Sequence, residues 1–177
     1  DNIGITLFAG ETFTQCPLTV DHAVLLDMIH NIKCGLITDG TAVGMGIANA
    51  VTRLKDSKAK SKVIILLTDG TNNKGDISPM TAAEIAKSFG IRVYTIGVGT
   101  NGMAPYPYPV GNTVQYVSMP VEIDEKTLTE IAGTTDGNYF RATSNSKLKE
   151  VYEEIDKLEK TKLNVKEYSK RDEEYHW

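Results

Sequence analysis

The chain has 177 residues, 41% of them hydrophobic and 24% charged, with a formal net charge of −4. That make-up fits one α/β-sized globular domain with apolar surface for a single core, and it excludes a disordered or fibrous chain. The acidic balance and the lack of a basic stripe argue against nucleic acid as a partner, no apolar run reaches the ~18 residues that cross a bilayer, and no signal peptide is visible.

Asp1-Asn2-Ile3-Gly4-Ile5 stands at the edge of a strand, so we expect the chain to be cut from a longer polypeptide. The run Ile3 to Ala9 is apolar and β-branched and predicts a strand. Phe13 to Leu18 predicts a short edge strand, where Pro17 is tolerated. Thr19-Val20-Asp21 caps a helix with Ala23, Leu25, Leu26 and Ile29 as its apolar positions. Cys16 and Cys34 form no CxxC pair, which argues against a zinc cage or a thioredoxin site. Two separate thiols and a Cys16–Cys34 disulfide both stay open.

Gly35 to Gly44 is a polar, glycine-rich loop, and Val43, Ile47, Val51 and Leu54 after it mark one face of an amphipathic helix. Val63 to Leu67 is continuously apolar, as in a central parallel strand covered on both faces. Ser78-Pro79 opens a helix through Phe89 that Gly90 ends, and Ile91 to Val98 is the next strand. Asn101 to Gln115, rich in Pro, Tyr and Gly, predicts an exposed loop or small hairpin; its Tyr106 and Tyr108 make it a candidate specificity patch, weighed against an ordinary long hairpin. Asp124 caps a helix carrying Leu128 and Ile131, and Asn138 to Ala142 is a last strand. From Ser146 a helix follows with Leu148, Val151, Ile155 and Leu158 inward, and the tail after Lys160 is highly charged. Alternating strands and helices imply a three-layer α/β fold, a mostly parallel sheet flanked by helices, with ligands beyond the C-terminal strand ends.

Three motifs compete for the chemistry. Gly97-Val98-Gly99-Thr100-Asn101-Gly102 is a formal GxGxxG, but Pro105 and Pro107 oppose the helix that a dinucleotide site needs next. Leu67-Thr68-Asp69-Gly70-Thr71 resembles the DxDGT signature of haloacid dehalogenase-type phosphatases, yet leucine holds the nucleophile's position and cannot attack phosphorus. The third motif is a pair, Asp39-Gly40-Thr41-Ala42-Val43-Gly44 and Thr68-Asp69-Gly70. By residue type alone, Thr41 and Asp69 can be local caps of a helix and a turn.

This pair resembles the second and third loops of the metal-ion-dependent adhesion site (MIDAS) of von Willebrand factor A domains. The resemblance implies that Thr41 and Asp69 are metal ligands, the Thr from the second loop and the Asp from the third. Mg2+, or another hard divalent cation, takes oxygen donors in octahedral geometry and keeps positions for water and a partner's carboxylate. The family's first loop, Asp-x-Ser-x-Ser, occurs nowhere in the chain. The resemblance therefore implies that the first strand and first helix are lacking, with that strand's place between the Ile3–Ala9 and Val63–Thr68 strands. Three of five ligand positions are missing with it, and we expect metal binding by this chain alone to be weak or absent.

Longer stretches, Leu7-Phe8-Ala9-Gly10, Thr12 to Thr19, DGTAVGMGIANAVTRL and Tyr94 to Gly99, resemble the Bat aerotolerance family. That likeness implies a bacterial inner-membrane protein with its domain on the periplasmic side, in company with other Bat-type proteins or a MoxR-type AAA+ ATPase. It places the domain at residues 1–160 and a charged tail at 161–177, ending Tyr175-His176-Trp177, before a membrane helix outside the chain. The function implied is a non-catalytic protein-interaction module, or alternatively a metal-free scaffold. An enzyme is the disfavoured class: His22, His30 and His176 are scattered, and no Ser or Cys has an evident base.

Overall fold

The computed structural model describes residues 1–33, 35, 37–99 and 102–174. Cys34, on which the disulfide reading depends, and the terminal Tyr175-His176-Trp177 lie outside the described residues.

The apolar run Val63–Leu67 lies in β3 (Lys62–Thr68), which pairs in parallel with β4 (Ile91–Val98) over its whole length. β4 pairs in parallel with β7 (Tyr139–Ala142), giving the order β3-β4-β7. Successive strand residues face opposite sides, so each strand serves two cores. Ile64, Leu66, Ile91 and Val93 meet α2 (Val43–Leu54), α3 (Pro79–Ser88) and α4 (Glu125–Thr134) on one face. Tyr94, Ile96 and Ala142 meet Val151 and Ile155 of α5 (Asn145–Glu174) on the other. The result is helix, sheet and helix in three layers. Cover on the α5 side is incomplete, and Ile65 stays 36% exposed although its run predicts burial on both faces.

β1 (Ile3–Phe8) and β2 (Thr12–Thr19) form a separate antiparallel pair. It is held to α2 by side chains: Thr14 Oγ1 donates to Asn49 Oδ1 (3.0 Å), and Asn49 Nδ2 donates to Thr12 Oγ1 (3.2 Å). Gly46 lets α2 close on β1, since a Cβ there would stand 2.9 Å from Phe8 Cγ. β1 and β3 share no ladder, in keeping with the strand that the resemblance puts between them.

The helix signals act as their chemistry requires. Asp21 Oδ1 accepts from the Ala23 and Val24 amides at the start of α1 (His22–His30), Ser78 Oγ from Thr81 before α3, and Asp124 Oδ1 from Thr127 before α4. Gly90 takes φ +65 just past α3, the left-handed turn expected of a helix end. On α1 the expected apolar face is only partly used: Leu25 is buried, while Leu26 and Ile29 are exposed. Helix α5 runs unbroken through residue 160.

The segment after β4 is a hairpin longer than its sequence signal, with β5 (Gly102–Val110) and β6 (Thr113–Val121) paired antiparallel through nine register positions. Gly111, at φ +58, and Asn112 make its two-residue turn. The Pro, Tyr and Gly content of Asn101 to Gln115 leaves a loop and a small hairpin both open; four prolines interrupt these strands, and their spacing, not their number, permits pairing. The side chain of Tyr106, one of the two tyrosines in the suggested patch, lies outside the described ones.

Candidate metal-binding rim at the C-terminal end of the sheet

Thr68 ends β3 opposite Gly97 of β4, so the Asp69 loop and the root of the hairpin leave the sheet at the same end. The loop carrying Thr41 comes to this end from the other ladder. Gly10 N donates to Thr38 O and Ala42 N to Ala9 O, both at 2.7 Å, fastening residues 38–42 to the end of β1.

The two loops are laced directly to each other. Thr41 N donates to Asn73 Oδ1 (2.9 Å), and the Asn73 and Lys74 amides return to Thr41 O at 3.0 and 3.3 Å. Val43 N, at the first position of α2, donates to Asn72 Oδ1 (2.8 Å). Asn72 therefore caps α2 from another loop, where Ala42, the helix's own cap residue, brings no side-chain bond. Neither asparagine was singled out in the sequence, although two Asx residues directly after a strand-end Asp-Gly-Thr are the kind that bond loop amides.

Thr41 Oγ1 lies against the third loop: a Cβ built on Gly70 would be 3.3 Å from it. Thr41 is half-buried and takes no part in capping α2. Asp69 is exposed and makes no hydrogen bond or ion pair to the described residues; the local turn is closed by its neighbour, with Gly70 N donating to Thr68 Oγ1 at 3.3 Å. Thr41 and Asp69 thus supply a hydroxyl and a carboxylate on adjacent loops of one rim. The donor types suit a hard cation, but two donors are too few to hold one firmly. Among the described residues no group of three or more His, Cys, Asp or Glu is arranged for a metal. Beside Thr71 the rim continues into an open depression lined by Glu122, Ile123, Asp124, Glu125 and Lys126.

The strongest electrostatics lie at the opposite end. Glu159 of α5 accepts from Tyr94 Oη (2.6 Å), Ser61 Oγ (2.8 Å) and the Arg92 guanidinium. Burial works to raise the Glu159 carboxyl, but these bonds and the charge of Arg92 outweigh it and hold it below the usual carboxylate range. Burial, and then the bond to Glu159, push the Tyr94 phenol far up. These groups dock a helix and are remote from the rim. His22 and His30 sit at the two ends of α1, and Leu26 O lies 2.7 Å from His30 Nδ1. Cys16 is buried and forms no disulfide among the described residues.

The von Willebrand factor type A domain family matches residues 1–154. The chain is similar to the crystal structure of the conserved hypothetical protein BatB from Bacteroides thetaiotaomicron, with 34% identity and a TM-score of 0.75 over 90% of this chain and 80% of that one. It is also similar to an aerotolerance-related membrane protein from Bacteroides fragilis, with 31% identity and a TM-score of 0.73 over 89% and 80% of the two chains. Proximal thread matrix protein 1 from the mussel byssus, in a form with a zinc-occupied MIDAS motif, is 26% identical with a TM-score of 0.67, over 89% of this chain and 34% of that one. The chain spans about half the length of the curated relatives it matches, 49% and 50% for two of them.

Proposed function

Because this chain belongs to the von Willebrand factor type A domain family, in its Bat-type, aerotolerance-related group, we propose that it is a non-catalytic protein-interaction module whose binding face is the rim holding Thr41 and Asp69. The observation that carries this reading is the pairing of an exposed carboxylate at Asp69, unengaged among the described residues, with the Thr41 hydroxyl on the loop laced to it. A carboxylate with a structural job would be bonded; this one faces solvent beside a second hard donor. A divalent cation completed by an Asp-x-Ser-x-Ser loop would leave a coordination position for a partner's acid. The zinc-occupied MIDAS of the mussel protein supports the metal side of the reading.

The whole protein, on this reading, is anchored in a bacterial inner membrane with this domain on the periplasmic side. The similar protein from Bacteroides fragilis is described as a membrane protein, while no described helix here is long and apolar enough to cross a membrane. Within the group we place the chain beside BatA, and its partners among other Bat-type proteins or a MoxR-type AAA+ ATPase assembly. We divide the chain into the domain proper, 1–160, and the tail, 161–177. The scattered histidines support a role without catalysis, and turnover of general phosphoesters by the purified chain would oppose it.

A second reading, a metal-free scaffold of the same kind of assembly, draws on the asparagine lacing: the Asn72 and Asn73 bonds join the two loops with protein groups alone. The test separates the two. Binding to a Bat-type partner is measured, in a version of the chain carrying an Asp-x-Ser-x-Ser loop, for Thr41→Ala and Asp69→Ala with and without Mg2+. Loss in both variants and dependence on Mg2+ support the metal reading; binding that survives both substitutions and chelation leaves the scaffold. The natural gene upstream of Asp1 gives an independent check, since an Asp-x-Ser-x-Ser there supplies the missing donors.

A further inference from the structure

Residues 102–121, which make up the β5–β6 ribbon, contain no Asp, Glu, Lys, Arg or His, in a chain of which 24% is charged. The ribbon pairs with no other strand among the described residues, and Met103, Tyr108, Val114, Tyr116, Val117 and Met119 are all exposed large side chains on it. An isolated two-stranded ribbon is marginal in water, so an uncharged one projecting from the rim calls for cover.

Its backbone decides what can cover it. Val110 and Thr113 flank a two-residue turn and so form a hydrogen-bonded pair, from which bonded and non-bonded pairs alternate down the ladder. Pro109↔Val114, Pro107↔Tyr116, Pro105↔Ser118 and Met103↔Pro120 are then the non-bonded pairs. All four prolines fall where the main-chain N points outward, which is why the ladder survives them. The two edges differ as a result. The β5 edge has lost its donors at Pro105, Pro107 and Pro109 and is closed to strand addition, a known way of blunting an edge. The β6 edge turns the N–H and C=O of Val114, Tyr116 and Ser118 outward.

We propose that the β6 edge is a self-association surface on which a second copy of this chain docks, β6 against β6, antiparallel about Tyr116. The outward positions match under that twofold: Tyr116 faces Tyr116, and Val114 faces Ser118, in hydrogen-bonded register. The pairing is isologous. It brings no charged side chain against an uncharged strand, which a charged partner strand would do. The two proline edges then lie outermost and stop the sheet at four strands. A lipid surface fits less well, because it would leave the outward amides of β6 unpaired in an apolar medium. One strand edge buries less than the ~1,600 Å² of a standard interface, so the dimer is weak and depends on concentration.

Sedimentation equilibrium of the whole chain from micromolar to near-millimolar concentration tests this. The expected mass rises from 19.4 kDa toward twice that value. Tyr116→Pro removes one outward donor and leaves the inner ladder intact, so it should stay monomeric with an unchanged circular dichroism spectrum. Pro107→Thr with Pro109→Thr reopens the β5 edge and should turn dimers into longer assemblies that dissociate on dilution with an unchanged circular dichroism spectrum, which aggregates of misfolded chains do not. A monomeric wild type at the highest concentration, a dimer untouched by Tyr116→Pro, or a ribbon that binds phosphatidylcholine vesicles while remaining monomeric each overturns the proposal.

Discussion

The Tyr94 phenol donates to the Glu159 carboxylate at 2.6 Å and thereby ties the middle strand β4 to helix α5. Tyr94 is fully buried, and the Glu159 side chain is 14% exposed against 18% for Arg92. The two possible deletions are unequal. Tyr94→Phe removes one bond to a charged acceptor that keeps two others, and should cost about 1–2 kcal/mol. Glu159→Ala leaves the mostly buried Arg92 guanidinium without its carboxylate, and should cost about 2–3 kcal/mol after allowance for partial exposure. Urea unfolding of both variants checks the order; a Tyr94→Phe loss larger than that of Glu159→Ala would contradict it.

The same cluster sets a pH dependence. Glu159 has a lowered carboxyl in the folded chain, so its contribution is present above the ordinary carboxylate range and is lost as pH falls through the folded value. Tyr94 is raised, so its contribution is present below the ordinary phenol value of 10.0 and is lost as pH rises beyond it. The contribution of these two groups should therefore be constant between these limits. Glu159→Gln should flatten the acid limb of a stability–pH curve, and an acid limb of unchanged slope would show that other carboxylates control it.

Gly44 is the last residue of the Asp39–Gly44 motif and marks the closest approach in the site. A Cβ at this position would stand 2.1 Å from Ile77 O and 2.8 Å from Ser78 C, both backbone atoms that cannot swing aside. Gly44→Ala should therefore push α2 from the segment before α3, costing about 1–3 kcal/mol as overpacking, where a glycine-to-alanine change in an open helix stabilises by up to ~1 kcal/mol. A thermal melt gives the sign. Gly133 on α4 has nothing near its Cβ position and serves as the open control.

What the residues disclosed and what they hid follow from range. The helix caps at Asp21, Ser78 and Asp124, the buried faces of α2 and α5, and the parallel pairing of the Val63–Leu67 run were legible, because each depends on neighbours within a turn or on a simple period. The β5–β6 ribbon was only half legible, since proline counts against a strand locally and its tolerance depends on register across the ladder. The Asn72 and Asn73 lacing and the Glu159 cluster join residues 29 to 98 apart in sequence, and no local pattern marks such pairs. Exposure of Leu26 and Ile29 on α1 was hidden for a related reason: an apolar stripe states that a face can be covered, while tertiary packing decides whether it is.

Asn72 and Asp69 stand three residues apart, and the structure gives them opposite duties. Asn72 is half-buried and accepts from the first amide of α2, so Asn72→Ala should cost about 1 kcal/mol, as the loss of a helix cap does. Asp69 is exposed and engages nothing among the described residues, so Asp69→Ala should change stability by less than ~0.5 kcal/mol. A carboxylate that the fold does not need is available for an external cation. With Thr41 as its one companion donor, this chain alone should show weak or no heat on titration with Mg2+, and a version carrying an Asp-x-Ser-x-Ser loop should gain binding that Asp69→Ala abolishes. A large stability loss in Asp69→Ala would make Asp69 a structural residue and remove the ground for treating this rim as the binding face, and tight Mg2+ binding by the 177-residue chain itself would overturn the expectation that two donors are too few.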